Sequence, residues 1–160
     1  MKTYLTSLSL SLALLGCGGG HSPDFAGVWN GSFDPSTLQN DCPFTLRSDI
    51  NPLFPMTVSI DNNVYTVVNV AGQVAIGGQG QGEDISFLAQ APVFGNYGSI
   101  APYTCASVLA EVGFLTAGDT QAQVTMTYQF TNCTAPGTKY DAQHPVSCGA
   151  VYFGDATKTQ

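Results

Sequence analysis

Apolar and polar residues alternate along most of this chain with a period of two. Residues 122–131, AQVTMTYQFT, show it most cleanly. Ala122, Val124, Met126, Tyr128 and Phe130 fall on one side, and Gln123, Thr125, Thr127, Gln129 and Thr131 on the other. Successive side chains of a pleated strand point to opposite faces, so this alternation predicts a strand with one buried face. Residues 108–116 behave alike, with Val108, Ala110, Val112 and Phe114 on one side, and residues 56–60 alternate as well. Residues 64–70 are rich in β-branched side chains, and 72–78, 85–91 and 148–154 read as weaker strands after an opening strand at 25–33. Residues 106–115, ASVLAEVGFL, could pass for a helix, but Gly113 and the alternation argue for strand. No helix longer than two turns is predicted.

Turn chemistry joins many of these strands directly. Asp61-Asn62-Asn63 and Ala117-Gly118-Asp119 are tight hairpin signals, and Ala71-Gly72 is a looser one. The predicted fold is therefore all-β: one domain over residues 24–160, an eight-stranded antiparallel up-and-down barrel. Closure removes the exposed strand edges; a β-sandwich is the alternative. In such a meander the long loops at 34–55, 92–107 and 132–147 share one end. They contain or border Cys42, Cys105, Cys133 and Cys148. The N-terminus and the C-terminus fall at the opposite end. The four thiols are expected to form two disulfides. Three pairings are open, and closure of the last long loop favours Cys133–Cys148 with Cys42–Cys105. A zinc site is not expected, because no two of these cysteines lie within four residues of each other.

The fifth cysteine, Cys17, belongs to a different pattern. Lys2 precedes an apolar and hydroxyl stretch over residues 4–15, YLTSLSLSLALL. That is too short to span a bilayer, which takes about twenty residues, and suits a secretory leader. Leu14-Leu15-Gly16-Cys17 then resembles the lipobox of bacterial lipoproteins. The resemblance implies a signal peptide over 1–16, cleavage between Gly16 and Cys17, and diacylglycerol in thioether linkage on Cys17. It also implies an acyl chain such as palmitate on the new N-terminus. Two or three chains make a stable membrane anchor. By the sorting rule of enteric lipoproteins, Gly18 in place of aspartate points to the outer membrane. Residues 17–23 would be the lipidated cysteine and a tether, whose six residues after Cys17 span at most ~20 Å. An oxidising envelope such as the periplasm permits the disulfides.

Charge narrows the partners. The formal net charge is −7, from four Lys and Arg against eleven Asp and Glu, and loses one more positive charge when Lys2 leaves with the leader. Sparse cations exclude nucleic acid as an expected partner, because binding needs clustered Lys and Arg to neutralise phosphates.

Candidate chemistry is thin. The segment FAGVWNGSF at 25–33 resembles the F-x-G-x-W opening strand of lipocalins through Phe25, Gly27 and Trp29. That resemblance implies a barrel whose floor is closed by Trp29, with a nearby cation; Lys158 is the candidate by position. Asp119 sits in the turn where lipocalins carry an aspartate, without the rest of that motif. Residues 77–85, GGQGQGEDI, resemble a single calcium-binding RTX repeat but place Gly82 where the aspartate belongs, and read as a flexible hairpin. His21 lies in the tether. His144 stands near Asp141 and Ser147, a spacing that does not by itself make a triad. Glu111 is expected to point outward beside Leu109 and Leu115. Phe44, Phe54, Phe94, Tyr97, Tyr103 and Tyr140 occupy the long loops, either as a contact surface or as the cover of the barrel mouth. No catalytic residue, metal site or cofactor is expected. The expected function is a non-enzymatic, membrane-anchored envelope lipoprotein that binds a small apolar ligand or lipid. The alternative is a structural lipoprotein docking a protein partner through its disulfide-stapled distal loops. Abundant Gly and Ala on the fourth, fifth and eighth strands lean toward an interior with space.

Overall fold

The computed structural model describes residues 23–46, 53–79, 82–90 and 100–159. Residues 1–22, with the expected leader, Cys17 and His21, lie outside these residues, as do Phe94 and Tyr97. Eight antiparallel strands follow one another: β1 (Gly27–Asn40), β2 (Met56–Asp61), β3 (Val64–Val68), β4 (Val74–Gln79), β5 (Asp84–Gln90), β6 (Ser107–Thr116), β7 (Gln121–Cys133) and β8 (Val146–Thr159). Each pairs with its neighbours in sequence, and β1 pairs with β8, so the sheet closes into a barrel. A single closed sheet excludes the sandwich alternative.

Local chemistry sets the hairpins. Asp61 pairs with Val64, leaving a two-residue loop in which Asn62 and Asn63 both have positive φ, 49° and 65°. That backbone matches the twist of the flanking strands, and asparagine tolerates it better than most residues. Between β3 and β4 the buried Asn69 organises the turn: its side-chain oxygen accepts from the backbone N–H groups of Ala71 and Gln73.

Two strands run further than their periodicity predicts. β1 continues past Phe33 to Asn40 through a break in its ladder with β8, between Asp34 and Gln39. Pro35 cannot donate a ladder bond, which hides the continuation. Thr37 repairs the break, its hydroxyl accepting from Phe153 N–H at 2.9 Å. β8 extends to Thr159 along β1.

The barrel interior is filled. Trp29, Met56, Val67, Ile85, Phe87, Val112, Val124, Met126, Tyr128 and Tyr152 are inaccessible to water or nearly so. Rings interlock across it, Trp29 with Phe114 at 5.6 Å, Phe87 with Phe114 at 6.0 Å and Tyr128 with Tyr152 at 6.3 Å between centroids. A void large enough for water would leave measurable exposure on the side chains lining it, and these ten show none. The small residues do not open the space that composition suggested. Inward Gly77 and Gly154 sit where strands close on each other: a β-carbon on Gly154 would run into the carbonyl of Ser32, and one on Gly77 into that of Ser86. Backbone, not ligand space, occupies the room they leave.

Candidate functional site

The meander sends the chain ends to one end of the barrel and the long loops to the other. At the first end Phe25 and Trp29 close the floor, 1% and 0% exposed. Trp29 Nε1–H donates to the Phe25 carbonyl at 2.9 Å, so the indole nitrogen is satisfied in a dry site. The Phe25 ring meets Tyr65 edge-on at 5.9 Å. Lys158 lies opposite Trp29 in the β1–β8 ladder. Its stem crosses Gly27, and its ammonium donates to the Asp24 carbonyl at 2.8 Å and approaches the Asp24 carboxylate at 3.3 Å. Gly27 has φ 137°, which favours glycine, and a β-carbon there would push the Lys158 stem aside.

At the other end the loops form a braced cap. Cys42 is bonded to Cys148, and Cys105 to Cys133. This corrects the favoured pairing of Cys133–Cys148 with Cys42–Cys105. The reason is register. In the β6–β7 ladder Ser107 faces Thr131, which carries Cys105 opposite Cys133. In the β1–β8 ladder Asn40 faces Ala150, which carries Cys42 opposite Cys148. Each disulfide ties backbone that already runs side by side. The β7–β8 ladder instead places Phe130, not Cys133, opposite Cys148.

Hydrogen bonds extend both clasps. Asp41 N–H donates to the Gly149 carbonyl at 3.2 Å, and its side chain accepts from Gly149 N–H. Thr104 and Thr134 exchange backbone bonds at 2.8 and 2.9 Å. Under the clasps the first long loop is a plug: Phe44, Leu46, Leu53 and Phe54 are all buried. Phe44 packs on Phe130 at 5.1 Å and on Tyr103 at 5.0 Å, and Phe33 meets Phe54 at 5.7 Å. Tyr103 reaches Tyr140 at 6.2 Å, over which Lys139 Nζ lies at 4.9 Å. Phe44 and Phe54 thus cover the mouth, while Tyr103 and Tyr140 lead outward to its rim. For Phe44 and Phe54 this is the mouth-cover reading of the loop aromatics; Leu46 and Leu53 were missed, because they carry no periodicity in an irregular loop.

The remaining candidates are dispersed. His144 Nδ1 lies 3.0 Å from Asp141 Oδ1 in an exposed pair, which holds the Asp141 carboxyl below the usual range. Ser147 Oγ accepts from Asn132 N–H at 3.0 Å, and no hydrogen bond joins it to His144 among the described residues. Glu111 is half-buried on the outer wall between Leu88 and Thr127. The described part of residues 77–85 is the hairpin joining β4 to β5. Asp41, Cys42 and Cys148 bring potential metal ligands close together, but both sulfurs are committed to the disulfide and offer no thiolate. Beside this clasp is a surface depression of about 420 Å³, bordered by Gln39, Asn40, Asp41, Thr127, Gly149 and Val151.

No family model matches the chain. No curated protein matches it, and no solved structure matches it.

Proposed function

We propose that this protein is a non-enzymatic, lipid-anchored envelope module, held in the outer membrane through Cys17, that docks a protein partner at the braced loop end. The observation that carries this reading is the interlocked interior, which among the described residues lies between Phe25 and Trp29 at one end and Phe44 and Phe54 at the other. It leaves the described core no room for the internal ligand site of an open calyx, which is typically 300–1,000 Å³. The effort of the fold goes instead into fixing the loops. Two disulfides and a four-residue apolar plug hold the rim that presents Tyr103, Tyr140 and Lys139. A rigid aromatic rim suits recognition, because Tyr brings large contact area at low entropy cost.

The alternative, a small apolar ligand or lipid, requires the plug to swing aside. Native mass spectrometry of the full protein, extracted from membranes, separates the two. Docking through the rim predicts one covalently lipidated species without further small molecules. It also predicts a photocrosslinker at position 140 that captures one defined envelope protein. A stoichiometric, non-covalent lipid in the folded protein would overturn this reading in favour of the ligand. The anchor has its own test: Cys17→Ser should move the protein out of the membrane fraction, and retention there would overturn the lipobox reading.

A further inference from the structure

The outer wall of the barrel has two chemically different halves. On β6, β7, β8 and β1 the outward positions include Glu111, Gln123, Gln129, Asp155, Thr157 and Asn30, with Leu115 on β6 and Val28 on β1 exposed singly among them. On β3, β4 and β5 four aliphatic side chains stand out, Val64, Val74, Ile76 and Leu88, which are 46%, 48%, 61% and 52% exposed, with Thr66 and Ser86 as the neutral polar neighbours on the same face. Register makes these contiguous. Val74 faces Val68, and Ile76 lies between Thr66 and Leu88. Val70, in the turn after β3, extends the stripe to the loop end, whereas Val64 begins it at the end where the chain enters. No charged residue interrupts the stripe among the described residues. Among the described residues the charged groups at its borders are carboxylates: Asp61 faces Val64, Glu111 faces Leu88, and Asp84 lies further along the outer face of β5.

We infer that this stripe rests on the headgroup–acyl boundary of a neutral bilayer, so that the barrel lies on its side. The inference rests on the reading of Cys17 as lipidated. The tether is the first argument. The six residues between Cys17 and Asp24 span at most ~20 Å, and they meet the barrel at the end where the stripe begins. The wall is therefore within reach of the surface that holds the lipid. Shape is the second. The exposed aliphatic area is a few hundred Å² on a convex wall, whereas a stable pairing with a second copy takes about 800 Å² per partner. Two convex barrels meet along a narrow line, but a bilayer deforms around such a surface. Charge is the third. Bordering carboxylates repel anionic headgroups and accept hydrogen bonds from the ammonium of ethanolamine lipids. In this posture the braced rim opens sideways and stays accessible, in place of the upright posture in which it faces away from the membrane.

The test uses the full lipidated chain in vesicles of phosphatidylcholine and phosphatidylethanolamine, with a tryptophan added by Ile76→Trp or, on the polar wall, by Gln129→Trp. Trp29 is buried in both and contributes the same background. With brominated acyl chains the emission added at position 76 should be mostly quenched and that at 129 unchanged. Replacing a third of the lipid with phosphatidylglycerol should weaken the quenching. Equal quenching at both positions, or none at 76 in a chain that floats with the vesicles, overturns the side-lying posture while leaving the anchor standing. A blue shift at 76 without bromine quenching assigns the face to another protein and also overturns it. A chain whose mass shows no lipid on Cys17 overturns the anchor and the posture together.

Discussion

Glycine does opposite things at different places in this barrel, and the contrast can be measured. Gly154 faces inward against the backbone of Ser32, so a methyl group there has to displace a neighbouring strand. Gly78 faces open space at an ordinary strand φ. Gly154→Ala should lower stability by about 1–3 kcal/mol, the cost of overpacking a site that cannot yield. Gly78→Ala should raise it by about 0.5 kcal/mol by restricting the unfolded chain. Urea midpoints of the two variants check both signs. Composition alone reads these residues as the same small side chain, and that is why it suggested an open interior. At the same scale, the Asp141 carboxyl is held low first by the hydrogen bond from the His144 side chain and then by the backbone of Gln143. A carboxyl lowered in the folded state adds stability above its unfolded pKa and loses it as pH falls through the folded value. Removing its main partner with His144→Ala should move the Asp141 titration upward toward the ordinary aspartate range, followed by carboxyl-carbon NMR. No movement would mean that the exposed pair is not formed in solution.

The disulfides belong to the scale of strand pairs. Cys105 and Cys133 are 28 positions apart in sequence, and Cys42 and Cys148 are 106 apart. On loop-closure entropy the first bond contributes about 3–4 kcal/mol and the second about 4–5 kcal/mol. Replacing Cys105 and Cys133 together by Ala should therefore cost less stability than replacing Cys42 and Cys148, by denaturant unfolding under oxidising conditions. The reverse order would mean that strain or residual unfolded structure outweighs chain entropy. The correct pairing was legible in the chain. Cys105 and Cys133 lie fourteen residues on either side of Asp119, within the hairpin turn that joins β6 to β7, and so face each other in any regular ladder from that turn. The strands themselves were legible because Val124, Met126, Tyr128 and Phe130 alternate without interruption. The second half of β1 was not, because Asp34, Pro35 and Ser36 spell a turn and only the distant Phe153 backbone shows that the strand resumes. The plug was legible in part: the aromatic Phe44 and Phe54 suggested a cover for the mouth, whereas the buried Leu46 and Leu53 show no local pattern.

At the scale of the whole molecule, the first and last strands are fastened at both ends. Lys158 and Asp24 join them where the chain enters, and Cys42–Cys148 joins them at the mouth. The ring of strands thus also contains a ring of covalent bonds, running along the chain from Cys42 to Cys148 and back through sulfur. A single peptide-bond cut at any point between these two cysteines opens that ring without dividing the molecule. Limited proteolysis within the loops should accordingly give a species that migrates as one chain on a non-reducing gel and as two fragments once reduced. A protein so built tolerates a nick. Its two halves stay covalently joined, and the hydrogen-bonded strands have no free end along which to peel apart.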